Sequence, residues 1–254
     1  MSNTWRQARA APARADMAVD AGLRSFMLGV YNKMALGLIW SGVLAYIVGS
    51  VAPVTAAVLS PPLLYVVQWG PVALLLGSNF FMRNPSPTGS SLLYWSVVTL
   101  IGAGLGVWVF LALRGVGAQT LSGTLNVTFT GITQAFLITA VAFGGLSLWG
   151  YTTKKNLTGL GSFLVMGTWG LAAIVLVNVL FLQSSALQIG LQIASLGIFG
   201  LLIAFQTQSL KTMYYQLEGD RRGMAVMTNF GALNLYIAVV QIFQVLLSLI
   251  SSRE

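Results

Sequence analysis

Apolar runs of about twenty residues recur along the whole chain, separated by short polar breaks. A helix needs a run of that length to cross a hydrocarbon core of about 30 Å. Seven such runs can be drawn, over residues 34–51, 61–81, 91–113, 125–150, 157–182, 186–209 and 229–250. The breaks between them are too short to hold a soluble domain. The pattern therefore predicts an all-α membrane protein, a single seven-transmembrane-helix bundle over residues 31–254. Residues 1–30 read as an N-terminal tail, because they carry Arg6, Arg9, Arg14 and Arg24 but no short apolar core before a cleavage site. Within that tail, residues 17–31 have the spacing of an amphipathic helix lying at a membrane surface.

Composition agrees with this class. Of 254 residues, 56% are hydrophobic and 7% are charged, against about 25% charged in a soluble domain. Lys and Arg are placed unevenly between the breaks. With the N-terminus inside, the inner segments carry Arg6, Arg9, Arg14, Arg24, Lys33, Arg83, Lys154, Lys155, Lys211, Arg221 and Arg222. The outer segments carry only Arg114 and Arg253. Such a bias predicts a cytoplasmic N-terminus and an outer C-terminus. A re-entrant last segment would move only Arg253 to the other side. The net charge of +8 is spread singly through short loops. That is the positive-inside pattern rather than a nucleic-acid surface.

The acids change the picture most. There are five, Asp16, Asp20, Glu218, Asp220 and Glu254, so residues 21–217 hold no carboxylate side chain, and the chain has no His and no Cys. Ser-His-Asp and Cys-His nucleophile systems are excluded, as are the usual zinc sites. No phosphate-binding or dinucleotide fingerprint is present. The chain reads as a non-enzyme with no cofactor. Candidate chemistry falls to neutral polar residues inside the spans. These are Gln206 and Gln208 in the sixth run, Asn178 in the fifth, and Asn234, Gln241 and Gln244 in the seventh. Asn234, Ala238 and Gln241 fall at i, i+4 and i+7, which predicts one polar, small, polar helix face suited to close packing. Such amides either bond to neighbouring helices or line a hydrated path. Without carboxylates they would hold calcium only weakly. Gly102 and Gly106 form a GxxxG pattern, and Gly144, Gly145, Gly167 and Gly170 add small residues to the next two spans. The Trp69-Gly70-Pro71 run predicts a kink in the second span. The 211–228 stretch is a loop of mixed charge, solvated or able to dock a partner.

The run from Phe136 to Ser185 resembles the bacterial, YccA-like branch of the Bax inhibitor-1 (transmembrane Bax inhibitor motif) family. The matching elements are Phe136-xx-Thr139-Ala140, Gly150-Tyr-Thr-Thr-Lys154, Leu160-Gly-Ser-Phe-Leu-xx-Gly167 and Asn178. The likeness continues through Gln208, Lys211 and Tyr214 to Gly231-Ala-Leu-Asn-Leu-Tyr236, with an echo at Tyr31–Gly37. It implies a seven-helix fold with the last helix central. It also implies a calcium leak protein of a bacterial inner membrane or, alternatively, a modulator that binds the membrane protease FtsH. The family's sixth and seventh helices carry a di-aspartate pH sensor. Gln206 and Ala238 stand at those two positions here, and neither can titrate. The implied gating is thus expected to be missing.

Overall fold

The computed structural model describes residues 4–81, 84–120, 123–153, 155, 157–217 and 219–252, with side chains in the first helix described from Ala21 onward. Eight helices make up almost all of it. They are α1 (Thr4–Ser50), α2 (Ala52–Val58), α3 (Leu63–Phe81), α4 (Pro87–Arg114), α5 (Phe129–Thr152), α6 (Thr158–Val177), α7 (Ser185–Gln216) and α8 (Arg221–Ser251). Six helices are long and apolar enough to cross a membrane by themselves: α1 from Ala21, α4, α5, α6 with its extension, α7 and α8. The bent pair α2 and α3, which meet at 62°, brings the number to seven when the two are counted as one span. The structure is the all-α multispan bundle that the apolar runs predict.

Local chemistry sets the helix ends. Ser86 caps α4 by accepting from the Gly89 amide, with Pro87 as its first residue, and Gly115 closes the helix at φ +59°. Thr128 caps α5 from the Gly131 amide, Ser184 caps α7 from the Leu187 amide, and Asp220 caps α8 from the Arg222 amide. Each cap fills an amide that has no partner within its own helix. Beyond Val177, α6 widens into a π-helical turn over Asn178–Leu182 and stops at Gln183, φ +48°.

α8 is the central element, packed against α1, α4, α5 and α7. One apolar core joins them: Val30 and Met34 of α1, Val97 and Val98 of α4, and Leu233, Leu235 and Tyr236 of α8 are all buried. α3 leans on α4, and α6 leans on α7. The glycines of α4 let α1 in closely. A Cβ at Gly102 would lie 2.7 Å from the Ser41 Cα, and one at Gly106 would lie 2.5 Å from a Val48 methyl. Gly144, Gly145 and Gly170 meet nothing within 4 Å, so they contribute no close approach.

Four local expectations are corrected. The stretch from Ala21 to Tyr31 does not lie on a membrane surface, because it continues α1 into the bundle. Its apolar stripe, Leu23, Phe26, Met27 and Val30, is buried in the common core, and Phe26 packs 5.7 Å from the Tyr214 ring. The bundle thus takes in Leu23–Val30, which the expected boundary at residue 30 had left to the tail. Residues 125–128 belong to a small β-hairpin connection instead of a helix: β1 (Ala118–Thr120) pairs antiparallel with β2 (Gly123–Leu125), and the Asn126 amide donates to the Ser251 carbonyl at 3.0 Å. The 211–228 loop is almost wholly helical, since α7 runs to Gln216 and α8 starts at Arg221. In the second span, the sharp bend falls between α2 and α3, and Pro71 sits inside the continuous α3.

Gly150 approaches α7 so closely that a Cβ would meet the Ala204 carbonyl. Gly150→Val should therefore cost about 1–3 kcal/mol by overpacking, whereas Gly190→Val, with open space around it, should be neutral or stabilising by about a few tenths of a kcal/mol, because Val is the better helix former. Reversible unfolding in detergent distinguishes the two.

Candidate functional site

Polar groups inside hydrocarbon must find partners within the protein. One set of them gathers where α1, α4 and α8 meet. Lys33 Nζ donates to the Asn229 Oδ1 and, at 3.2 Å, to the Ser91 hydroxyl. It also lies 5.2 Å from the centre of the Tyr94 ring. Asn229 in turn donates to the Ser90 hydroxyl at 2.8 Å and to the Pro87 carbonyl at 3.1 Å. The Tyr94 hydroxyl returns to the Lys33 carbonyl at 2.7 Å. The ammonium is thus held by amide and hydroxyl oxygens. Deeper in the same seam, the Tyr236 and Ser41 hydroxyls bond at 2.6 Å, and Ser41 donates to the Val98 carbonyl at 3.3 Å.

A second set ties helix connections. Gln208 accepts from the Leu157 amide at 2.8 Å and donates to the Lys155 carbonyl at 2.8 Å, so it pins the start of α6, where no local side chain caps the helix. Asn178 is fully buried. Its amide donates to the Ser184 carbonyl and to Gln188 Oε1, each at 3.2 Å, and its Oδ1 accepts from the Ser184 amide at 3.0 Å. It therefore braces the π-helical turn against α7. Both residues are architectural in this fold. Gln206, expected from the resemblance to stand at the first of the two sensor positions, has a buried Oε1 with no hydrogen-bond partner. Ala238, at the second, is 2% exposed. Its neighbours Leu235, Tyr236 and Val239 are buried with Ile203 of α7, so the middle of α8 is apolar on every side but one.

The remaining side is open. α3 and α7 flank one face of α8 without closing over it, and two cavities lie along that face. One, about 480 Å³, has Gln68 of α3 opposite Gln241 and Gln244 of α8. The other, about 180 Å³, adds Gln188, Gln192 and Ser195 of α7 and Ser248 of α8. Gln241 and Gln244 border both cavities, and neither cavity reaches below Ile237 on α8. Among these groups, Gln192 donates to the Ser248 hydroxyl at 2.9 Å. The result is an amide-lined crevice that ends at the apolar middle of the bundle. Its carbonyl oxygens can serve as weak, neutral ligands for a hard cation, or as partners for another helix. Among the described residues no three His, Cys, Asp or Glu side chains gather as a metal site.

Set against the sequence, the expected Asn234, Ala238 and Gln241 face does not form a packed interhelical seam. Asn234 is exposed, Ala238 is buried, and Gln241 lines the crevice. Asn234 and Gln241 lie about 20° apart around the helix but about 10 Å apart along it, and Ala238 sits about 40° and 60° from them, so the three meet different surroundings. Lys33 and Asn229 were not foreseen as partners, since their contact joins helices 196 positions apart. A usable signal did exist for the crevice. Gln188, Gln192 and Ser195 fall at i, i+4 and i+7, and Gln241, Gln244 and Ser248 at i, i+3 and i+7, each set on one helix face.

The family described as "Inhibitor of apoptosis-promoting Bax1" matches residues 23–254. A protein of Caulobacter vibrioides is 49% identical over 251 residues, covering 95% of this chain and 94% of that protein. The protein RP147 of Rickettsia prowazekii is 34% identical and covers 92% of each. The inner membrane protein YbhL of Escherichia coli is 30% identical, covering 92% of this chain and 94% of its own.

Two substitutions separate bracing amides from an unsatisfied one. Asn178→Ala should cost about 1–3 kcal/mol, because it strands buried backbone and amide groups. Gln206→Met removes a buried acceptor that has no partner, and should leave stability unchanged or raise it by up to about 1 kcal/mol. Thermal unfolding of the purified chain in one detergent measures both.

Proposed function

We propose that this chain, which belongs to the Bax inhibitor-1 family, is a non-enzymatic integral membrane protein that lets cations, calcium among them, leak slowly through its bundle without the family's proton switch. The observation that carries this reading is the pairing of an amide-lined crevice with neutral residues at the sensor-equivalent positions. Gln241 and Gln244 offer carbonyl oxygens at the crevice, and Gln206 and Ala238 offer no titratable proton. A pair of carboxylates shares a proton and titrates at raised pH because like charges resist joint ionisation. A Gln and an Ala leave nothing to titrate. Affinity for calcium is then low, since tight sites include carboxylates.

The proposed setting is a bacterial inner membrane, supported by the name of the Escherichia coli relative. The proposed orientation puts the N-terminus in the cytoplasm, supported by the uneven spread of Lys and Arg.

A second reading has its own support. The crevice stops at a fully apolar layer and is open sideways between α3 and α7, and unpaired amides at such a place suit hydrogen bonding to a helix of another membrane protein. On that reading the chain restrains a membrane protease of the FtsH kind and passes no ions.

Calcium efflux from liposomes holding the purified chain decides between them. The leak reading predicts flux above empty liposomes that is unchanged between about pH 6 and pH 8, because no span residue titrates as a carboxylate pair would. It also predicts that Gln206→Asp together with Ala238→Asp introduces a pH dependence. No flux above the empty control overturns the leak and leaves the partner reading.

A further inference from the structure

A second furrow lies on the neighbouring flank of α8, between α1 and α5, with Val240 and Trp108 bordering both it and the crevice. α1 packs on α4 and α8, while α5 packs on α7 and α8. The gap between α1 and α5 holds two chambers that share Phe143. The chamber near the N-terminal end of α1 has a volume of about 510 Å³, and its lining carries one charge, Arg24. The deeper chamber, about 420 Å³, is floored by Val239, Val240 and Phe243 of α8. From Arg24 to Tyr46 at the far end, α1 rises about 33 Å at 1.5 Å per residue, close to the full hydrocarbon thickness of about 30 Å.

The deeper chamber has no free polar groups to offer among its Ser and Thr side chains. Ser41 is bonded to Tyr236 and to the Val98 carbonyl. Thr133 donates to the Phe129 carbonyl at 2.9 Å, and Thr139 to the Ala135 carbonyl at 2.7 Å. In the outer chamber, Ser147 is bonded to Tyr31 at 2.6 Å and to Thr207 at 3.3 Å. A buried water needs two to four polar partners, and an apolar cavity without them takes an apolar guest. The furrow is open to the side, where Tyr46 and Phe136 are more than half exposed. In a protein that spans a bilayer, that side is the lipid.

From the closed-off hydroxyls, the lateral mouth and the single cation at one end, we infer that the α1/α5 furrow holds one anionic phospholipid. Its phosphate meets Arg24, and one acyl chain runs past Phe143 into the chamber floored by α8. Arg24 is exposed and sits where the apolar run of α1 begins, at the depth of a headgroup. The occupant touches α8, the central helix, on the flank next to the amide crevice. This makes it structurally distinct from the lipids that surround the bundle.

The test uses the full chain in vesicles of phosphatidylglycerol carrying a trace of the same lipid with a photoreactive group near its chain end. Adducts are mapped by mass spectrometry. The expected result is labelling at Val239, which is buried and borders this furrow but not the crevice, so ordinary surrounding lipid cannot reach it. Gly42→Phe fills the deep chamber, and Gly144→Phe fills the outer one. A Cβ at either glycine meets nothing within 4 Å. Each should abolish floor labelling while labelling at the outward-facing Phe163 persists. Arg24→Gln should lower floor labelling about fivefold in phosphatidylglycerol, the worth of one basic residue near an anionic surface, and leave it unchanged in phosphatidylcholine. Adducts confined to outward positions such as Phe163 and Val141 would overturn the bound chain. Equal labelling by both lipids, with Arg24→Gln silent, would overturn the anionic headgroup.

Discussion

A polar group placed in hydrocarbon is costly until something inside the protein bonds to it. This chain meets that constraint without a single carboxylate between residues 21 and 217. The consequences run through the whole fold. Lys33 is received by Asn229 and Ser91 and by the face of Tyr94. Helix connections are pinned by the neutral amides of Gln208 and Asn178. Hydroxyls of Ser and Thr turn back onto their own helices, as Thr139 does onto Ala135. Neutral satisfaction is weaker per contact than ion pairing, so the fold depends on having all of these contacts and on close packing at Gly102, Gly106 and Gly150.

The same constraint shapes what the bundle can do. α8 lies at the centre, with an apolar middle from Leu235 to Val240 interrupted only by the bonded Tyr236, and with Ile237 bordering the crevice. Amides collect on one flank of its upper half and a dry furrow runs along the neighbouring one. An ion that entered the crevice would meet carbonyl oxygens first and then a layer without ligands. Passage therefore needs that layer to open, and nothing in its residues makes opening respond to protons. A neutral crevice that stops at a closed layer is what the proposed slow leak, rather than a gated channel, calls for.

Much of the fold was legible because the membrane imposes a simple length rule. Each of the seven apolar runs lies for most of its length within one helical segment of the bundle, and the second begins at Pro61 and Pro62, where the chain bends between α2 and α3. What escaped the rule was chemistry at the ends. Leu125 and Val127 extend an apolar run, yet they pack sideways into a hairpin connection beside Leu247. Tyr214, Tyr215 and Met213 looked like loop because charges follow them, and the helix instead continues to Gln216 with Tyr214 buried against Phe26. The apolar stripe of Leu23, Phe26 and Met27 fits either a membrane surface or a neighbouring helix, and only the fold decides between them. For the site, spacing identified Gln241 but could not tell bracing amides from lining ones. Gln208 and Asn178 owe their roles to backbone groups on other segments, which no periodicity reveals.

The absence of cysteine makes one measurement unusually clean. Single cysteines placed at Leu235, Ala238, Gln241, Gln244 and Ser248 can be probed in native membranes with a charged, water-soluble maleimide. The account predicts reaction at 241, 244 and 248 and a sharp loss at 238 and 235, where the apolar middle begins. Reaction at all five positions would mean a continuous aqueous path and contradict the closed layer. No reaction at 241 and 244 would mean that the amide crevice is dry, and would contradict its role as the cation entrance.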